Sequence, residues 1–249
     1  EPDHPAAPVR RRAVRAGCLS RAADRRQPHR HGVVPLRPRA QSLADALARR
    51  IGAQAIRLGG PVSAIALLPD GVRVQAGDAE YDADQVVVAV PPALAVEQIA
   101  FTPGLPAAFR EAAEATAVWM ATTVKAVAVY EEPFWRGAAL AGSAISYAGP
   151  FREFDDHSGP GGTPAALFGP AAAGPHAVHA LDWSRERYTM PRAPRWSHLA
   201  SGFGSPVFQQ PMEGRVHFAS AETATAYAGH IEEAIRAGLD TAARVLESG

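Results

Sequence analysis

The run Val86–Val90 (VVVAV), closed by Pro91 and Pro92, constrains this chain most. Stiff β-branched side chains suit a pleated sheet. An uninterrupted apolar run, unlike an alternating one, is expected of a strand buried on both faces. Such a strand needs packed layers on either side.

The flanking segments supply those layers. SLADALARRIG predicts a helix with Leu43, Ala46, Leu47 and Ile51 on one face, Ser42 as N-cap and Gly52 just past its end. From Ile56 to Val90 the pattern predicts successive strands, with a hairpin turn at Asp70-Gly71. LPAAFREAAEATAVWM reads as a helix, and TVKAVAVYEEPFW as a strand that turns at Pro133. Loops dominate Gly137–Gly162, and a strand AALFG precedes the small-residue linker PAAAGPHA. GRVHFAS predicts a strand with Val216 and Phe218 inward. The last helix, about residues 229–247, carries Ile231, Ala234, Ile235, Gly238, Ala242 and Val245 along one apolar stripe.

Residues 1–40 are different: dense in Arg and Pro, without a sustained period of 3.6 or 2. They read as a disordered basic arm or an out-of-frame segment; no aromatic residue accompanies the arginines to stack on bases. Formal net charge is zero, so no global field draws nucleic acid or an anionic membrane. One cysteine, Cys18, precludes an internal disulfide framework or a multi-cysteine zinc site. The longest apolar run is proline-broken and too short to span a bilayer, and no signal peptide is visible, which makes the cytoplasm the expected location. No metal site is expected: Asp155, Asp156 and His157, with His176 and His179, fit no standard ligand spacing and fall in Gly/Pro-rich loops. No serine lies in a nucleophile elbow.

Lys125 is the chain's one lysine, set in the alternating apolar run of TTVKAVAVYEEPFWR. Alternation alone leaves two readings, a solvent-facing strand residue or a cation held in a site.

Three segments together resemble the flavin-dependent amine oxidases, the family of monoamine and polyamine oxidases. They are GGPVSAI followed by YDADQVVVAVPPALAVEQIAFTPGLP, the Lys125 strand with its trailing YEEPFWR, and GRVHFASAETATAYAGHIEEAIRAGLDTAARVL. The likeness runs in order over about residues 40–249. It implies an α/β protein with a partial FAD/NAD(P)-binding Rossmann-like domain (41–96 and 211–249) and a mixed-sheet (α+β) substrate domain (97–210).

The resemblance also implies roles. Val62 matches a position whose backbone pairs with the adenine of FAD, and Ala89, Val90 and Pro91 match chain passing near the cofactor. Glu222 matches a glutamate lying against it, with Ser220 and Ala221 replacing small neighbours. Gly229, His230 and Ile231 match the helix start aimed at the flavin ring, where a positive helix end favours negative charge. Lys125 matches a lysine that reaches flavin N5 through a water. Trp183, Tyr188 and His230 are candidate walls of the amine pocket.

Departures matter equally. Nothing matches the Gly-x-Gly-x-x-Gly turn that cradles the FAD pyrophosphate, since GGPVSAI lacks its spacing. His230 replaces an aromatic-cage tyrosine and Glu233 a glycine. No cysteine lies near the C-terminal motif, so flavin would be non-covalent, and weak or absent in the isolated chain. The implied function is an FAD-dependent amine oxidase acting on a small amine, apparently truncated. The alternatives are a non-catalytic remnant and half of a split flavoenzyme completed by an FAD-binding polypeptide.

Overall fold

The computed structural model describes residues 41–147, 153–169, 175–192, 202–226 and 228–248. The basic arm and residues 170–174 of the linker lie outside them. The chain packs as two units, a smaller one at Val124–Asp182 and a larger one drawn from residues 41–123 and 183–248.

In the larger unit, helix α1 (Gln41–Ile51) ends at Gly52, whose φ of +95° suits glycine. Strands β1 (Val62–Leu68), β2 (Gly71–Ala76) and β3 (Ala79–Ala83) form an antiparallel meander. The first hairpin turns on Pro69-Asp70, because Gly71 already pairs with Leu68. Glycine serves there by absence of bulk: a Cβ on Gly71 would lie 2.7 Å from the Ala83 carbonyl oxygen. After β4 (Val86–Val88), helix α2 (Pro92–Gln98) starts on a proline that needs no N–H partner. Strand β5 (Ala100–Thr102) then returns parallel to β1, making the four-stranded sheet mixed, and helix α3 (Ala107–Ala115) follows.

The smaller unit contains β6 (Val124–Tyr130), a short helical turn α4 (Phe134–Gly137), β7 (Ala144–Ile145), β8 (Glu153–Asp156), β9 (Ala165–Phe168) and β10 (Ala177–Asp182). The sheet order is β10-β6-β9-β8-β7, antiparallel throughout. One face buries Ala128, Tyr130, Trp135, Ala165 and Leu167. Asp155 and Asp156 belong to β8 and His179 to β10, so these residues lie on strands rather than in the expected loops. Strand pairing absorbs their backbone, and the side chains of Asp155, Asp156 and the neighbouring His157 have local tasks. Asp155 accepts from Ser143, Asp156 accepts from Trp135 and Arg136, and His157 stacks on Phe168.

The chain closes in the larger unit with β11 (Val216–Phe218) and helix α5 (Ile231–Ser248). Residues 97–123, 183–192 and 202–210, expected with the substrate domain, pack here. Phe109 lies edge-on to Phe208 at 5.2 Å and meets Phe218 at 4.3 Å, in one core with Ile65, Val72, Val88 and Val216.

Two expectations about burial are corrected. Val87 is 44% exposed and Val90 40%, because β4 pairs in parallel with β11 alone among the described strands. Val88 faces the core; nothing described covers the opposite face. Helix α5 is also turned against its apolar stripe. Its inward residues are Glu233, Ala237 and Thr241, while Ile231, Ile235 and Leu239 are exposed. Its contacts with the rest of the unit include Gly229 N–H to the Ala221 carbonyl before the helix, and Arg244 to Gln209 and Gln85 Nε2 to the Val245 carbonyl near its end. Helix α1 likewise leaves Leu47 and Ile51 more than half exposed. No helix among the described residues is long and apolar enough to cross a membrane.

Candidate functional site

Parallel pairing sends β4 and β11 out at the same end. Val88 pairs with Phe218, and the Ala219 N–H donates to the Val88 carbonyl at 3.0 Å. Ala89, Val90 and Pro91 therefore leave one strand beside Ala219–Glu222 leaving the other. Carboxyl ends of parallel strands are where open α/β sheets place ligands.

The turn after β11 is held at every carbonyl. The Ser220 carbonyl accepts from the Thr223 N–H at 3.1 Å and from Thr223 Oγ1 at 2.9 Å, while the Ser220 N–H donates back to Oγ1 at 3.0 Å. The Ala221 carbonyl accepts from Gly229 N–H at 3.0 Å, which ties the turn to the start of α5. The Glu222 carbonyl accepts from Gly204 N–H at 2.9 Å, and the Thr223 carbonyl from Gln209 Nε2 at 2.6 Å. Gly204 has φ +65°, and a Cβ there would stand 2.7 Å from the Ala224 carbonyl oxygen.

Two polar groups of the turn are left over. Ser220 is 6% exposed, yet its buried Oγ has no hydrogen-bond partner among the described residues. Glu222 is 9% exposed, and no described residue bonds its carboxylate. A buried hydroxyl without a partner costs about 1–3 kcal/mol, so this arrangement favours a ligand that completes it. A hydroxyl and a carboxylate acceptor beside the positive end of an 18-residue helix suit a polyhydroxylated, phosphate-bearing molecule. Glu232 and Glu233 in the first helical turn place negative charge at the same end, and Glu233 is buried. The adjoining cavity of about 120 Å³, between Gln209, Phe218, Thr223, Ala237, Asp240 and Thr241, is too small for a flavin ring.

Behind the turn, His217 is 3% exposed and its Nε2 lies 2.8 Å from Gln85 Oε1. Burial, and then the charge of Arg244, hold its pKa below the ordinary histidine value.

The other sequence-derived candidates are placed as follows. Val62 opens β1, at a register shift before Ala64, and packs against the core that contains Val88 and Phe218. His230 precedes α5 and is exposed; its carbonyl accepts from Ala234 N–H at 3.1 Å. Ile231 is 49% exposed. Trp183 is half-buried, with its N–H 3.3 Å from the Thr123 carbonyl oxygen. Tyr188 is 57% exposed under the Arg187 guanidinium.

Lys125 lies in the smaller unit, opposite Leu181 across the β6–β10 pair. It is exposed on the sheet face shared with Val127 and Val129, away from the Ala126–Ala128–Tyr130 face that builds the core. No ion pair to it is found among the described residues. Gly204, Gln209, Thr223 and Arg244 were not legible as site residues: they fall in segments without periodicity or on a helix face that reads as polar.

Two parallel strands, β4 and β11, thus end side by side, and the turn after β11 is tied to the start of α5. The chain belongs to the flavin containing amine oxidoreductase family, whose model matches residues 16–190 and 165–246. A flavin-containing monoamine oxidase named AofH from Mycobacterium tuberculosis is 31% identical across 98% of this chain and 59% of its own length. Flavin-containing amine oxidase B of Sus scrofa is 27% identical across 78% of this chain and 43% of its own. The fold matches cyclohexylamine oxidase from Brevibacterium oxydans with a TM-score of 0.70 at 24% identity, covering 84% of this chain and 52% of that one. Putrescine oxidase bound to putrescine gives 0.69 at 23% identity, with 84% and 53% covered. The chain thus spans about half the length of the relatives it matches.

Proposed function

We propose that this chain contributes the C-terminal flavin contacts and the amine-facing sheet of an FAD-dependent amine oxidase. The observation that carries the reading is the turn Ser220–Thr223, rigid at each carbonyl, with a buried hydroxyl and a carboxylate unused. When bound, FAD supplies two-electron oxidation of a C–N bond, amine to imine, with dioxygen reduced to hydrogen peroxide. Ser220 Oγ would donate to a phosphate or hydroxyl oxygen of the cofactor and Glu222 would accept from one of its hydroxyls; Ala89 and Pro91 would pass beside it; the Gly229–Ile231 helix start would favour negative charge on the ring. Val62 would offer its backbone to the adenine. Lys125 would provide a cation to the flavin, and His230, Trp183 and Tyr188 would contribute to the wall around a small amine. Because only the neutral amine can give up hydride, turnover rises with pH.

A second reading concerns completeness. Among the described residues nothing covers the apolar surface of Val87, Val90, Ile235 and Leu239, and each full burial is worth about 1.5–3 kcal/mol. A complementing FAD-binding segment, on the same polypeptide or another, would cover them and supply the pyrophosphate cradle. The test is peroxide release from aliphatic and aromatic monoamines and diamines in the presence of FAD, with and without such a segment. Amine-dependent peroxide supports the enzyme. No peroxide under either condition identifies a non-catalytic remnant.

A further inference from the structure

We infer that Gln209, itself held by Arg244, is a positioning residue for the cofactor turn; this rests on the flavin reading of Ser220–Thr223. A relay of side chains crosses the larger unit from the end of α5 to the turn. Arg244 Nη2 donates to Thr241 Oγ1 at 2.8 Å, which fixes the guanidinium against its own helix. Arg244 Nη1 donates to Gln209 Oε1 at 3.3 Å, so the amide oxygen is engaged and the amide nitrogen is turned the other way. Gln209 Nε2 then donates to the Thr223 carbonyl at 2.6 Å.

Gln209 is thereby oriented by a group that can only donate, toward a group that can only accept. Its two ends cannot exchange roles without placing donor against donor. The relay also joins both ends of α5 to one turn, since Gly229 before the helix bonds Ala221 and Arg244 in its last turns reaches Thr223 through Gln209. Rigid placement of Glu222 and Ser220 then comes from residues that need touch no cofactor themselves. Preorganisation of this kind lowers the ordering cost of binding.

The test compares Gln209→Glu and Gln209→Leu with the wild-type chain by amide hydrogen exchange, with and without FAD. Gln209→Glu keeps the size and the acceptor for Arg244, and sets a carboxylate oxygen against the Thr223 carbonyl where the donor stood, whereas Gln209→Leu removes donor and acceptor without adding charge. The amides of Gly204, Ser220, Thr223 and Gly229 report the turn directly. The expected result is at least tenfold faster exchange at these four in both variants, unchanged exchange in β1 and β2, and a roughly tenfold higher FAD concentration needed to restore protection. Unchanged exchange at the four amides overturns the inference whatever FAD does. Acceleration spread equally through β1 and β2 also overturns it, marking an ordinary structural contact. If FAD gives the wild-type turn no protection at all, either alone or with the complementing FAD-binding segment, the flavin reading fails, and cofactor positioning by Gln209 fails with it.

Discussion

The Gly204 N–H donates to the carbonyl of Glu222 at 2.9 Å, so a loop glycine fixes the backbone of the candidate cofactor glutamate. The contact demands a bare backbone, because φ at Gly204 is +65° and a Cβ would sit 2.7 Å from the Ala224 carbonyl oxygen. Gly204→Ala should therefore destabilise the chain by about 1–3 kcal/mol through strain and clash. Urea unfolding measures this. A change below about 0.5 kcal/mol would show that the turn can yield.

Acid stability should depend on Asp156. Burial alone would raise its pKa, but hydrogen bonds from Arg136, Ser158 and Trp135 outweigh that and hold it well below the usual carboxylate range. Trp135 Nε1 is 3.0 Å from Asp156 Oδ2, and Trp135 is 2% exposed. The folded pKa is depressed, so this stabilisation is complete above the unfolded carboxylate pKa and is lost as pH falls toward the folded one. Asp156→Ala leaves the indole N–H unpaired and should cost about 1–3 kcal/mol at neutral pH. The wild-type advantage should shrink below about pH 4. A variant gap that stays constant from pH 7 to pH 3 would contradict the assignment.

Lys125→Met keeps the length of the side chain on a strand whose core-facing residues are Ala126, Ala128 and Tyr130. Stability should change by no more than about 0.5 kcal/mol. In the complemented holoenzyme, flavin reoxidation by oxygen should slow by roughly ten- to a thousand-fold, the scale of one lost electrostatic contact. Stopped-flow reoxidation at fixed oxygen decides; an unchanged rate makes Lys125 a surface residue.

The uncovered stripe of α5 predicts a separation of effects. Leu239 is 66% exposed, so Leu239→Glu should leave the stability of this chain within about 0.5 kcal/mol. The same change should weaken association with a complementing FAD-binding segment by at least tenfold, measured by titration calorimetry. Equal binding by both proteins would place the segment elsewhere.

Much of the fold was legible because it rests on local pattern. The strands VVV and VHF, the helix after Pro106 and the strand AALF follow from apolar runs and proline punctuation, whereas helix α2 after Pro91 and the parallel pairing of VVV with VHF were not foreseen. Pattern failed where burial depends on neighbours. Val87 belongs to a run that reads as two-sided, and its second side has no cover among the described residues. The stripe of α5 reads as inward, yet Glu233 and Thr241 face in; the helix is tied at Gly229 to Ala221 and at Arg244 to Gln209, contacts that no apolar stripe announces. At the site, Glu222 and Gly229 were reached through family resemblance. The contact between Gln209 and Thr223 spans two irregular segments, and no periodicity announces such a pair.

The most direct test of the central claim is an FAD titration of the purified chain, followed by the visible difference spectrum of the flavin and repeated with Glu222→Gln. The account predicts a saturable perturbation of the flavin bands, weak enough that the cofactor leaves on gel filtration. It also predicts that Glu222→Gln shifts the midpoint upward several-fold. A folded chain that leaves the flavin spectrum unperturbed at millimolar FAD, alone and with the complementing segment, would contradict the claim that this turn holds the cofactor.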